Sequence, residues 1–519
     1  MKKHLTATSL LWISFTSMIG SGWLFGALYS AHFAGPAAVI AWPLAGFLLL
    51  FVALAYAEVA TMFPQTNSLA QLPIYTHGHL TSVLINGLTW LSLATIPAIE
   101  TQGIIQYASN YLPHVMAHEG LRYIITPRGY FLALILLISF VILNYFGMCL
   151  FARINASFTL WKLLIPSITA IALLSTSYHA NNFSQYGGFM PYGWQGVMAA
   201  MSSGGVLFSL LGFRQAIIMV GETKKPGKYI PIVLISSLML TALLYTVLQW
   251  SFIGSLRAQD LTHGWANLTF AGDAGPFAAL TTFAGLTYLS MLLYSDAFIS
   301  PYSTALVYSM TAARMLSSLG ATKVAPQSLA TENKYHVPWI SLCINCLLAA
   351  TIFFLLRDWQ AMAAFLVTAL MMSYAIGPIC LVCLRKQLPT HHRPFRLWCG
   401  EIIAFIGFYI CTAGVYWAGL QSIFKLLMLT VIGLVIYLLY CYFKKLQRTL
   451  DGKHSLWLIC YFLGLCIFSY FGNYGGKGVI PPYYDLLYLL AFSFIIFSLA
   501  FFSKKPSIHT ERCVQAINQ

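Results

Sequence analysis

Long apolar runs follow one another along almost the whole chain, separated by short polar stretches. A run must reach about 20 residues to cross a bilayer as a helix. Runs of that kind lie at roughly 8–30, 35–61, 80–111, 129–150, 157–177, 196–220, 230–254, 277–310, 338–356, 361–384, 402–420, 424–443, 455–472 and 484–503. The pattern predicts an all-α integral membrane protein with about fourteen transmembrane helices and no room for a large soluble domain. The first run is too polar and too glycine-broken for the apolar core of a signal peptide, and no small-residue cleavage site follows it.

Two of these runs are interrupted. "SMIGSGWLFG" (17–26) puts Gly20-Ser21-Gly22 where a membrane helix should be most regular, and "SSGGVLFSLLGFRQA" (202–216) does the same in the sixth run. Glycine disfavours helix, and irregular backbone at membrane depth is tolerated only where it is buried in protein or lines a watery cavity. Interrupted helices in matching positions of two halves point to a transporter built from inverted repeats, here spans 1–5 and 6–10, with spans 11–14 added at the periphery. An opened helix presents N–H donors and a positive dipole end to a carboxylate, and free carbonyls to an ammonium group. That pair suits a zwitterionic amino acid. Close helix packing through small residues is the competing reading of the first glycines, and the second interrupted helix favours the opened one.

Composition agrees with the pattern. The 519 residues are 59% hydrophobic and 8% charged, against about 25% charged in soluble domains. The net charge of +15 does not imply nucleic acid, because the basic residues are sorted. With the N-terminus inside, only Arg122, Arg128, Arg257, Arg357, Lys425 and Lys477 fall outside and Lys162 and Arg214 within spans, leaving the other twenty of the 28 Lys and Arg inside. This positive-inside bias expects an even span count and both termini in the cytoplasm. Cys343/Cys346 and Cys380/Cys383 have C-x-x-C spacing but lie in apolar helix, so they read as buried small apolar residues. His77/His79 and His391/His392 read as solvated loop histidines. No metal or other cofactor is expected.

At this point the sequence resembles the amino acid–polyamine–organocation (APC) superfamily of permeases. "IGSGWLFG" looks like the first-span signature, and "GETKKPGKYIP" (221–231) resembles the loop after the sixth span. "PAIETQGIIQYASNYLP" and "QLPIYTHGHL" are similar to the bacterial aspartate:proton symporters of that group. The resemblance covers about the first 400 residues. It departs at 67–73, where "NSLAQLP" stands in place of a glycine-rich segment. The resemblance implies a LeuT-type fold of 5+5 inverted repeats with helices 1 and 6 broken, and a substrate between them. Ser21 and Gly22 would hold the substrate carboxylate. The Met18 carbonyl, helped by backbone around Leu211, would take the amino group, and Phe208 would be an aromatic gate.

Ionisable residues inside spans are costly and are functional candidates by default: Glu58, Glu100, Lys162, Arg214 and Asp296. Some sodium-independent relatives carry a lysine where Lys162 stands. A tethered ammonium there can replace a cation and couple transport to protons, the competing reading being a lysine that snorkels to the surface. Arg214 stays charged and can grip a carboxylate with two parallel bonds, or it pairs structurally with Asp296 or Glu100. Glu58 reads as a gating or structural ion pair; Glu100 and Asp296 read as members of a proton path or of internal pairs.

The expected function is secondary active, proton-coupled uptake of an amino acid, of acidic type if Arg214 faces the site, by alternating access. An exchanger of the same fold is the alternative. A membrane enzyme lacks its motifs, and a sensor would need more than the polar tail. The expected organisation is a transporter core (1–400), peripheral helices (401–503) and a cytoplasmic tail (504–519). The expected partners are an amino acid, protons and the lipid bilayer, and the expected location is the bacterial cytoplasmic (inner) membrane.

Overall fold

The computed structural model describes residues 5–64, 68–119, 122–146, 148–268, 270, 275–321, 324–444 and 452–518, without the side chains of 68–69, 118, 122, 148–158 and 516–518. Lys2, Lys3, Lys323, Lys445 and Arg448, counted above on the inner side, and Asn67 of the departing stretch lie outside the described residues.

The helices run in chain order as α1 (Ala7–Thr16), α2 (Ser21–Ala34), α3 (Ala38–Met62), α4 (Ser68–His77), α5 (His79–Ala108), α6 (Pro127–Tyr145), α7 (Met148–Thr176), α8 (Gly193–Ser202), α9 (Val206–Leu210), α10 (Arg214–Ile218), α11 (Pro226–Gly254), α12 (Pro276–Phe283), α13 (Thr287–Ala321), α14 (Trp339–Leu355), α15 (Trp359–Tyr374), α16 (Ile376–Gln387), α17 (Gly400–Trp417), α18 (Leu420–Phe443), α19 (Gly452–Phe471), α20 (Tyr484–Phe502) and α21 (Ser507–Asn518). Starts follow local chemistry. Thr126 accepts from Gly129 N–H at 3.2 Å and Asp358 from Ala361 N–H at 2.8 Å, while Pro127, Pro226 and Pro276 occupy first-turn positions where the missing N–H costs nothing. One small antiparallel hairpin, β1 (Met116–Glu119) with β2 (Arg122–Ile125), sits between α5 and α6. Hydropathy gave no signal for it.

Among the described residues, ten helical stretches are long and apolar enough to cross a membrane, or eleven if the bent pair Gly193–Ser202 and Val206–Glu222 is one span. Their outer faces are apolar. Phe131, Ile135, Ile138 and Ile142 form an exposed stripe on α6, and Phe424, Met428, Val431, Val435 and Leu439 form another on α18. Helical spacing of exposed apolar side chains on this scale marks a lipid-facing surface. The chain is a multi-pass membrane protein.

Three packings organise the interior. α2 lies against α8 and α9, α3 runs along α11, and α5 runs along α13. Further out, α17 packs on α3, α15 and α16, and α20 on α17. The loop after the sixth span is pinned. Leu5 N–H donates to Glu222 O at 3.0 Å and Lys224 N–H to Leu5 O at 3.2 Å, and Gly227 lies so close to Pro394 that a side chain would displace backbone.

Two expectations need correcting. His77 is not solvated: it is buried in α4, with one ring nitrogen 2.8 Å from Thr76 Oγ1 and the other 2.9 Å from Ala500 O. His391 stacks on Phe63 at 5.3 Å. The reading fails for His77 because it lies in α4 with two acceptors beside its ring, whereas His391 is half-buried and His392 exposed. Cys380 and Cys383 are buried, but Cys343 is exposed on α14 and Cys346 only half-buried. The stretch at 504–519 holds a helix, α21, docked on α4 and α16, with Thr510 Oγ1 donating to Tyr75 O at 2.9 Å.

Glu58 and Arg385 join α3 to α16. Arg385 donates to both Glu58 oxygens (2.9 and 2.6 Å), Leu397 N–H donates to Oε2 at 2.7 Å, and Arg393 Nε lies 3.5 Å from Oε1. The Glu58 side chain is 1% exposed. Removing one partner of such a pair strands a buried charge. Arg385→Ala is therefore expected to cost about 3 kcal/mol of stability, read as a clear fall in the thermal midpoint of the purified protein, with Arg385→Lys in between. An unchanged midpoint would show that the pair contributes nothing.

Candidate functional site

α1 stops and α2 starts within one opened stretch, residues 17–20. The carbonyls left free at the end of α1 are each met by a side chain from another helix. Thr16 O accepts from Lys162 Nζ of α7 at 3.3 Å, Met18 O from Tyr245 OH of α11 at 2.8 Å, Ile19 O from Thr304 Oγ1 of α13 at 3.1 Å, and Ser17 O from Tyr308 OH of α13 at 3.5 Å. Lys162 Nζ also donates to Thr304 Oγ1 at 2.7 Å. It is 1% exposed, so it does not snorkel to the surface.

At the other edge of the opening, Ser21 N–H donates to Glu100 Oε2 of α5 at 2.6 Å, and Ser21 Oγ accepts from Trp359 Nε1 at 3.0 Å. Gly20 and Gly22 allow close approach. A Cβ at Gly20 would sit 2.6 Å from Glu100 Oε1, and one at Gly22 would collide with the Ser209 hydroxyl.

The sixth span bends by 49° between Gly193–Ser202 and Val206–Glu222. The bend lies at Ser203–Gly205, where Gly205 takes φ +86°. Leu211–Phe213 then tightens into a 3-10 turn, so the span is irregular at both places and bends at the first. Gly212 O accepts from Ser17 Oγ at 2.9 Å, tying the two interrupted spans together. Leu211 O accepts from Tyr374 OH at 3.1 Å.

Between the two openings is a cavity of about 30 Å³, room for roughly two waters. Met18, Gly20, Gly22, Glu100, Phe208, Leu211 and Arg214 line it. Phe208 meets Trp359 edge-on at 5.6 Å. The Arg214 guanidinium lies 5.3 Å from the Tyr374 ring centre, and its Nε and Nη1 are buried without a hydrogen-bond partner.

A family profile for amino acid permeases matches residues 5–437. This chain belongs to that family. It is similar to the glutamate/serine transporter AimA of Bacillus subtilis (33% identical over 507 residues, covering 96% of this chain and 93% of the relative) and to the aspartate-proton symporter of the same organism (32% over 515 residues, 97% of each). It is more distantly similar to the branched-chain amino acid permease BcaP of that organism (24% over 449 residues, 85% and 93%). The likeness thus extends past the 400 residues that the motifs suggested. The permease transports amino acids and is not an enzyme.

The site residues named from the sequence fall into two groups. Met18, Ser21, Gly22, Phe208, Leu211, Arg214, Lys162 and Glu100 meet around the opened stretches. Glu58 does not line the cavity and belongs to the ion pair already described. Asp296 is buried at α13, accepting from Trp23 Nε1 at 3.0 Å and Ser300 Oγ at 2.6 Å. Arg214 pairs with neither Asp296 nor Glu100 among the described residues. In this structure the carboxylate that meets Ser21 N–H is that of Glu100. Sequence reasoning missed Ser17, Ser209, Tyr245, Thr304, Tyr308, Trp359 and Tyr374. Their only signal was a hydroxyl or indole inside an apolar run.

The Gly22 contact makes a prediction. Gly22→Leu is expected to abolish amino acid uptake into proteoliposomes while the protein still inserts and purifies as a single species, because the added side chain fills the approach between α2 and Ser209. Uptake at the wild-type rate would remove the opened stretch from the binding site.

Proposed function

We propose that the permease carries an acidic amino acid inward together with protons, by alternating access around the cavity between α1/α2 and the bent sixth span. The observation that carries the substrate class is Arg214: its charge lines the cavity with two guanidinium nitrogens unpartnered. Two relatives at 32–33% identity are named a glutamate/serine transporter and an aspartate-proton symporter, and each name includes an acidic amino acid, which supports this substrate class. At an effective dielectric of about 20, a unit pair 4 Å apart gains roughly 4 kcal/mol before desolvation. Even a quarter of that changes relative affinity about fivefold.

The architecture we propose is a LeuT-type 5+5 inverted repeat with about fourteen transmembrane helices. The packing supports it: α2 with α8, α3 with α11, and α5 with α13 each pair elements of equal rank in the two halves. Residues 1–400 form the transporter core, 401–503 the peripheral helices and 504–519 a cytoplasmic tail that carries α21. Both termini face the cytoplasm, and the membrane is the bacterial inner membrane. Met18 and the backbone at Leu211 take the substrate amino group, Ser21 and Gly22 its carboxylate, and Phe208 covers it. Lys162, joined to the last carbonyls of α1 and to Thr304, is the coupling group, and Asp296 belongs to the same proton-handling region.

Two outcomes are expected. In purified protein, aspartate and glutamate compete better than lysine and arginine, and Arg214→Gln narrows that gap about fivefold. A preference for neutral or cationic amino acids that Arg214→Gln leaves unchanged would end the acidic-substrate reading. In proteoliposomes, Lys162→Ala stops uptake or leaves it insensitive to the pH gradient. Wild-type acceleration by an inward proton gradient in that variant would overturn the coupling role, and uptake that depends on internal amino acid instead of the gradient would favour exchange.

A further inference from the structure

An opened helix has to satisfy its first N–H groups even when no substrate is bound. In the bilayer interior an unpartnered N–H costs several kcal/mol, roughly, and the positive dipole end adds its own demand for an anion. In this structure the demand at α2 is met from within the chain. Glu100 reaches from α5, and its Oε2 accepts from Ser21 N–H at 2.6 Å. The carboxylate lies close beside Gly20, so that a Cβ there would stand 2.6 Å from Oε1 and 2.8 Å from Oε2. Glu100 is 1% exposed, lines the cavity, and has no Lys or Arg within ion-pair distance among the described residues.

We propose that Glu100 is a tethered competitor of the substrate: its carboxylate holds the N-terminus of α2 in the empty carrier, and the substrate binds by displacing it. The proposal rests on the reading of Ser21 and Gly22 as the substrate-carboxylate site. Three observations bear on it. The group bound at Ser21 has the same chemistry as the group expected there. The space left beside it, about 30 Å³, cannot hold an amino acid until a lining group moves. And the absence of a side chain at Gly20 leaves the space that the carboxylate occupies.

The consequence is a rule about affinity. Exchanging one carboxylate for another at the same N–H conserves the hydrogen bond, so the main-chain carboxylate of the substrate adds little net binding. Discrimination then falls on what the rest of the substrate meets, above all Arg214. A Glu100 that stayed in place as a fixed cap, or that received the substrate ammonium, has the opposite consequence, because removing its charge would then weaken binding.

The test is equilibrium binding of radiolabelled aspartate and glutamate to the purified full-length protein. Glu100→Gln keeps the size of the side chain but exchanges a charge-assisted acceptor for a neutral one. It is expected to bind about tenfold more tightly, the equivalent of ~1.4 kcal/mol, which is the scale that separates charged from neutral hydrogen bonds. A second arm uses acetate as a free carboxylate. Acetate is expected to compete with the amino acid in Glu100→Ala, where the tether is gone, and to have little effect on wild type, where it must displace Glu100 first. Binding by Glu100→Gln that is equal to or weaker than wild type, or equal sensitivity of Glu100→Ala and wild type to acetate, overturns the proposal. A wild type that binds neither acid but binds other amino acids removes the Arg214 reading alone, and both arms are then run with the amino acid that binds. A wild type that binds no amino acid removes the substrate site on which the proposal rests.

Discussion

The structure depends on one requirement: backbone opened at membrane depth must find its hydrogen-bond partners inside the protein. Residues 17–20 interrupt the first span, and five helices answer. α7 supplies Lys162, α11 supplies Tyr245, α13 supplies Thr304 and Tyr308, α5 supplies Glu100, and α15 supplies the indole that reaches Ser21. Each of these side chains would be a costly polar group on its own helix. Each is tolerated because the opening in α1/α2 presents what it lacks. The bundle is held in register around a defect, and the same defect is where the cavity forms.

The same requirement governs what could be read in the sequence and what could not. The spans were legible because hydropathy over about 20 residues is a local property. The stretch expected at 402–420 is found at Gly400–Trp417, and that expected at 484–503 at Tyr484–Phe502. The glycines of both openings were legible because glycine inside an apolar run marks either an interruption or a close approach, and here it marks both. Tyr245 and Thr304 were not legible. Their partners are 227 and 285 residues away in the chain, and a lone hydroxyl in an apolar helix has no spacing rule. The bend of the sixth span shows the limit within a single motif. "SSGGVLFSLLGF" contains two weak points, and the φ of +86° at Gly205, rather than the motif, decides which one bends.

Glu100 shows a different limit. From the sequence it was one buried acid among several, and nothing in "PAIETQG" distinguishes a proton carrier from a member of an ion pair. Its contact with Ser21 comes from α5 passing beside the opening. Gly103, one turn further on, lies so close to Ser21 that a Cβ there would be 2.8 Å from the serine Cβ. A single helix face thus brings a glycine and a carboxylate to the same short stretch of α2, the first for approach and the second for charge.

The two ends of the bundle are held by different physics. Trp359 and Arg385 stand about 39 Å apart along α15 and α16, at 1.5 Å per residue. At the Trp359 end the contacts are between rings: Phe208, which lines the cavity, is edge-on to Trp359, which stacks on Tyr29 at 5.3 Å and 9°. At the Arg385 end the contacts are ionic and backbone-mediated, through Glu58, Arg385 and Leu397 N–H, with Leu5 bonded to Glu222 and Lys224 near the start of α1. Ring packing combines non-directional burial of apolar area with a modest preference for edge-on or offset geometry. Charge-assisted bonds are geometric and are lost all at once when the partners separate. The Ser21–Trp359 hydrogen bond joins the opened helix directly to the aromatic end, while the ion pair lies the length of the bundle away.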